Sequence, residues 1–286
     1  MQYKRLTRPE RPVLAICYDF DRTLSPEDMQ AQGYIQDLEL DVGEFWEKTN
    51  RFADEHDMDS NLAYMFMMAQ ESEGKILLTR KTLQSYGAKV RLYPGAEDWF
   101  DRIDRYGEML GVQIEHYIIS SGQKEMIEGT SIADKFTAIF ASEFLYSDRG
   151  AAIWPAQAVN FTNKTQFLFR IEKGVMDVND PGVNEYFTPD KLRVPFRNIV
   201  YIGDSFTDIP CMKLVNSYGG HSIGVYDPDA GNTDKVCQLI RENRIRYYAP
   251  ADYREGGQLD RLLHAIINKT AAYEKLEKEH LSCTCK

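Results

Sequence analysis

Long apolar runs are missing from this 286-residue sequence, and their absence removes whole classes of protein at once. The first apolar stretch, Val13 to Cys17, is far too short for a signal-peptide core or a membrane span. Cysteine is scarce. Its five positions, Cys17, Cys211, Cys237, Cys283 and Cys285, form no even, closely spaced framework. Reduced thiols in a cytoplasmic protein are therefore expected. Cys283 and Cys285 have no partner pair elsewhere, so they read as a tail and not as a zinc site. Positive charge is in deficit too, with 34 basic against 44 acidic residues and a formal net charge of -10. A partner such as nucleic acid or a membrane surface calls for a basic footprint, and neither is expected here. Repeats and low-complexity tracts are also lacking, which sets solenoids and linkers aside.

What is present is ordinary globular composition, 43% hydrophobic and 27% charged. The length suits one large domain or a core with a smaller unit. Val13 to Tyr18 is apolar without alternation, as in a strand buried on both faces. His116–Ser120, Asn198–Ile202 and Ser222–Tyr226 read alike, and Thr137–Phe140 is a weaker fifth. Between them, helical spacing groups Trp99, Phe100, Ile103 and Tyr106 within Ala96–Leu110. It likewise groups Phe167, Leu168 and Ile171 within Lys164–Lys173, which Gly174 stops. Thr207–Val215, Thr233–Glu242 and Leu259–Leu276 are further helices. Strands alternating with helices predict an α/β protein, a Rossmann-like core with a mainly parallel sheet flanked by helices.

One stretch breaks the alternation. From Pro26 to Lys89 there is no buried-strand run, while Phe45, Trp46, Phe52, Tyr64 and Met65 to Met68 recur at helical spacing. A small helical domain over 26–89 is expected, inserted into a core made of 1–25 and 90–286. Two irregular segments, 144–163 and 174–197, are longer than most loops and are expected to carry a hairpin or to shape a site.

Four segments lie at strand ends or helix starts, where open α/β sheets place ligands. Asp19-Phe20-Asp21-Arg22-Thr23-Leu24 follows the first strand, and its two carboxylates leave an extended chain in similar directions. One carboxylate can attack phosphorus without prior deprotonation while the other handles a proton. Ser120-Ser121-Gly122 offers a hydroxyl and backbone N–H groups for phosphate oxygens, or caps a helix beginning near Gln123. Asn163-Lys164-Thr165 brings a cation to a helix start. Gly203-Asp204-Ser205-Phe206-Thr207-Asp208 provides acids suited to a hard divalent cation beside a glycine.

Taken in order, D-x-D-x-T, a strand-terminal serine, a lysine and G-D-x-x-x-D resemble the four motifs of the haloacid dehalogenase-like (HAD) superfamily. The resemblance covers roughly residues 11–25 and 90–250. It implies that Asp19 attacks phosphorus, while Asp21 protonates the leaving group, later deprotonates water, and binds Mg2+ through its carbonyl. It further implies Asp204 as a Mg2+ ligand, with Asp208 in the first or second coordination shell. Ser120 and Lys164 match the phosphate-binding hydroxyl and the neutralising lysine, and Thr23, Ser121 and Gly122 join them at the substrate. An acid at position 21 argues against dehalogenation, since a halide leaves without a proton. The implied activity is a Mg2+-dependent phosphatase acting on a small phosphorylated metabolite through a phospho-aspartate. A phosphotransferase or mutase shares all four motifs, and a silent phosphate-binding module would lack one of them. Many members have glycine where this chain has Arg22, which bears on the hinge. The helical insert resembles the mobile cap of members similar to phosphoserine phosphatase. The sequence carries no sign of an oligomeric state.

Overall fold

The computed structural model describes residues 3, 5–230 and 233–283; Cys285 lies outside them. The chain runs β1 (Val13–Tyr18), α1 (Tyr34–Asp37), α2 (Val42–Glu55), α3 (Ser60–Ser72), α4 (Arg80–Gly87), α5 (Ala96–Met109), β2 (Gln113–Gln123) and α6 (Lys124–Glu128). It continues through β3 (Ala138–Tyr146), β4 (Ala152–Gln157), α7 (Thr165–Lys173), β5 (Ile199–Gly203), α8 (Ile209–Ser217), β6 (His221–Tyr226), α9 (Asp234–Arg241), β7 (Tyr247–Pro250) and α10 (Gln258–Cys283). The strands form one sheet in the order β4-β3-β2-β1-β5-β6-β7. All neighbours are parallel except β3 and β4. This is the expected α/β architecture.

β1 lies at the centre because it has two apolar faces to bury. Leu14, Ile16 and Tyr18 face one layer, with Trp99, Phe100, Leu263 and Ile267; Val13, Ala15 and Cys17 face the other, with Phe167, Ile171 and Met212. Every residue of β1 is buried, and each large aliphatic side chain there contributes about 1.5–3 kcal/mol by leaving water. The one hydroxyl in that strand is satisfied by a chain of bonds. Trp99 Nε1 donates to Tyr18 Oη at 2.9 Å, and Tyr18 Oη lies 3.0 Å from His116 Nδ1. Tyr18 therefore spends its own proton on Nδ1, so His116 Nε2–H donates to Asp104 at 3.0 Å.

Between β1 and α5 only helices occur among the described residues. Asp41 caps α2 through Glu44 N at 3.1 Å, and Asp59 caps α3 through Asn61 N at 2.9 Å and Leu62 N at 3.1 Å. Their methionines and aromatics do not form a separate core. Tyr34, Phe45, Met65, Met67 and Met68 belong to the same buried cluster as Leu14, Ile16 and Tyr18 of the sheet.

Three departures from the expected elements have plain causes. Segment 144–163 holds the antiparallel β3–β4 hairpin, but β4 was not legible: Ile153 and Trp154 are exposed and Pro155 interrupts the strand pattern. β7 has four residues, too few for a periodic signal. β2 runs on to Gln123, so Ser120 to Gly122 lie in the strand's irregular last turn and not at a helix cap. Segment 174–197 carries short 3-10 turns. Buried Arg170 anchors it by donating to the carbonyls of Asp177 at 2.6 Å and Val178 at 2.8 Å. Among the described residues, no helix is long and apolar enough to cross a membrane.

Candidate active site

The parallel pairing of β1 with β2 and β5 sets the ends of β1 and β5 beside the middle of β2, just before Ser120: Tyr18 is in register with both Ile118 and Ile202. Asp19 N continues the ladder by donating to Ile202 O at 2.9 Å. The segments singled out in the sequence thus converge at one edge of the sheet.

Beneath Asp19 sits Lys164, at the start of α7 and with no exposed surface. Its Nζ donates to Asp19 Oδ2 at 2.9 Å and to Asp208 Oδ1 at 2.8 Å. Burial works to discharge this ammonium, but the two carboxylates outweigh it and hold its pKa above the ordinary lysine value. Asp208 is equally buried. Its Oδ1 also accepts from Tyr201 Oη at 2.8 Å, while Oδ2 accepts from Ser205 N at 3.1 Å and Ser205 Oγ at 3.0 Å. Burial alone would raise its pKa, yet the lysine charge and these donors hold it below the usual carboxylate range. The fold-back of this carboxylate explains the glycine five residues earlier. A Cβ on Gly203 would lie 2.5 Å from Asp208 Oδ2 and 2.6 Å from Cγ.

Asp19 keeps Oδ1 on its neighbour's amide, Phe20 N, at 2.7 Å. Burial first, then the charge of Asp208, push its pKa up to about 6, with Lys164 opposing both. Asp21 Oδ1 accepts from Met29 N at 2.8 Å. Burial, followed by the charges of Asp28 and Asp19, lifts Asp21 well above an ordinary carboxylic acid. Thr23 Oγ1 donates to Asp204 Oδ1 at 3.3 Å, and the Thr23 carbonyl is held by Tyr253 Oη at 2.7 Å. Carboxylate oxygens of Asp19, Asp204 and Asp208 lie within 4.8 Å of one another, a set of hard oxygen donors that fits a small divalent cation. Ser120 Oγ accepts from Gly122 N at 3.1 Å, and the Ser121 carbonyl is fixed by Tyr64 Oη at 2.9 Å.

A cavity of about 250 Å³ opens beside Asp21, Ser121 and Gly122. Asp21, Ser121 and Gly122 lie on its lower side; Trp46, Thr49 and Asn50 of α2 and Asn61 and Tyr64 of α3 close the upper side. Gly122 stands at the junction, where a Cβ would come 2.4 Å from Met29 Cε and 3.0 Å from Asp21 Oδ2. Sequence reading did not find the upper residues. A signal existed, since positions 46, 49 and 50 and positions 61 and 64 are one helical turn apart and mix polar with aromatic side chains. Arg22 adopts a left-handed φ of 59°, which a glycine takes up without strain. Its exposed guanidinium grips Asp28 through both arms, at 3.1 and 3.2 Å, which makes it a surface ion pair.

No family model matches the sequence. A curated relative, an uncharacterized protein of Borreliella burgdorferi, is 29% identical over 86% of this chain and 94% of its own. Among solved structures, a HAD family hydrolase from Salmonella enterica subsp. enterica serovar Typhi aligns with TM-score 0.56 at 17% identity, over 91% of this chain and 73% of that one. A probable phosphoserine phosphatase from Vibrio cholerae gives 0.57 at 13%, over 94% and 68%. A substrate-bound phosphoserine phosphatase gives 0.51 at 16%, over 84% and 93%. At such identities the likeness is one of fold, and the fold is that of the HAD-like phosphatases.

Proposed function

We propose that this chain hydrolyses a small-molecule phosphate monoester, with Mg2+, through a phospho-aspartate on Asp19. One observation carries the reading: a carboxylate at the end of the central strand, Asp19, is held by a wholly buried lysine, and Asp21, two residues on, borders a cavity. In the first step an Asp19 oxygen forms a bond to phosphorus as the ester P–O bond breaks, and Asp21 gives its proton to the departing alkoxide. In the second, water attacks phosphorus and loses its proton to Asp21, and the bond between Asp19 and phosphorus breaks. Met29 N fixes Asp21 for both transfers. Ser120, Ser121, Gly122 and Thr23 surround the phosphate, and Lys164 offsets its charge.

Asp19, Asp204 and the Asp21 carbonyl would hold the cation, which supplies charge neutralisation for phosphate oxygens when bound. Asp208, held in turn by Tyr201 and Ser205, keeps Lys164 in place beside the cation. Residues 26–89 are read as a cap over a core of 1–25 and 90–286. Buried Cys17 and Cys211 are free thiols, as suits a cytoplasmic setting.

The test is phosphate release from a panel of small phosphorylated metabolites, with and without Mg2+, for wild type and Asp19→Asn. Mg2+-dependent release that disappears in Asp19→Asn is expected. Release that survives the substitution would remove Asp19 as nucleophile.

A further inference from the structure

The upper half of the cavity has an unusual balance of charge for a site that is to hold a dianion. Asp28 lines it above the Asp21 of the lower side, together with the aromatic rings of Trp46 and Tyr64 and the amides of Asn50 and Asn61, and among the described residues no lysine, arginine or histidine does. Basic residues on the surrounding elements are engaged elsewhere. Lys48 pairs with Glu71, Arg51 with Glu47 and Lys124 with Glu143, and Arg22 is spent on Asp28 from the flank. The two rings meet at 66° with centroids 6.1 Å apart, so they present two differently oriented walls. Aromatic walls beside carboxylates attract a cation and repel an anion.

From this lining, and resting on the reading that phosphate sits over Asp19, we infer that the preferred substrate is the phosphate ester of an amino alcohol that carries no carboxylate. The phosphate binds below, and the ammonium lies above, against Trp46, Tyr64 and Asp28. A leaving group bearing a carboxylate meets no unengaged counter-ion here.

The experiment compares kcat/KM for phosphoethanolamine and phosphocholine with phosphoserine and glycerol phosphate, using p-nitrophenyl phosphate to report catalytic competence. An advantage of at least tenfold for the amino-alcohol esters is expected. Turnover of p-nitrophenyl phosphate with phosphoserine or glycerol phosphate matching them would overturn the inference and leave the phosphatase reading standing. Calorimetry on Asp19→Asn with Mg2+ reads the same preference as binding, so the question is decided even if no ester turns over. There, phosphocholine must bind more tightly than phosphoserine, and equal or absent binding counts against the inference. Asn50→Lys adds the missing cation and should shift the phosphoserine-to-phosphoethanolamine ratio at least tenfold toward phosphoserine. An unmoved ratio in a folded variant would also refute it.

Discussion

Lys164, buried against Asp19, and Asn50, on the wall of the cavity that Asp21 borders, have surroundings that differ in kind. The lysine is wholly enclosed and shared between two carboxylates, one of which is itself held by Tyr201 and Ser205. Asn50 is exposed on a helix whose neighbouring lining residues are neutral or aromatic. Below, each charge is defined by another buried charge, so no member can change alone. Above, side chains share a space without depending on one another. The lower network is thus rigidly specified, while the upper lining is open to change.

Breaking the lower network should have the largest effect. Lys164→Met leaves Asp19 and Asp208 buried without their counter-ion, and a loss of about 3–5 kcal/mol in stability together with loss of turnover is expected. Asn50→Ala should stay within about 0.5 kcal/mol of wild type. Urea denaturation of both proteins checks this contrast, and equal losses would dissolve it. Asp21→Asn comes next. It should slow esters of poorly acidic alcohols by about 10²–10⁴ but p-nitrophenyl phosphate far less, because that alcohol leaves without help. Steady-state rates across a series of leaving groups measure the difference.

Acid separates effects on the fold from effects on the catalytic floor. His221, buried in β6, is held down to about 4, by burial first and then by the charges of Lys269 and Arg246. Between pH 4 and its ordinary value of 6.5 the unfolded chain binds the proton more readily. Its contribution is therefore intact above pH 6.5 and is lost as pH falls toward 4. Thermal melts at pH 7 and pH 4.5 should show a smaller acid-induced drop in Tm for His221→Gln than for wild type. Arg22→Gly should matter least. Relief of the left-handed φ, about 1 kcal/mol, offsets loss of an exposed ion pair worth about 0–1 kcal/mol. A nearly unchanged Tm and substrate profile are expected, and a changed profile would give Arg22 a place at the substrate.

Sequence made the lower half legible because its residues sit at strand ends, and buried strands announce themselves as short apolar runs. Asp19, Lys164, Asp204 and Asp208 could be named without a structure, although the pairing of Lys164 with both Asp19 and Asp208 could not. The upper half was opaque for a different reason. Trp46 and Tyr64 look like core residues in the sequence, and only the packing of α2 against α3 decides that they also border a cavity. β4 and β7 escaped because one is exposed and interrupted by proline and the other is very short. The anchoring of segment 174–197 by Arg170 depends on carbonyls that no side-chain pattern encodes.

The buried cluster joining Tyr34, Met65, Met67 and Met68 to Leu14, Ile16 and Tyr18 has a consequence for how such a protein diversifies. Exchanging the whole helical segment for that of a relative would strip contacts from a shared interior. On the proposed function, new substrate preferences would come instead from point changes at positions such as 46, 50 and 61, which border the cavity while the common interior stays as it is.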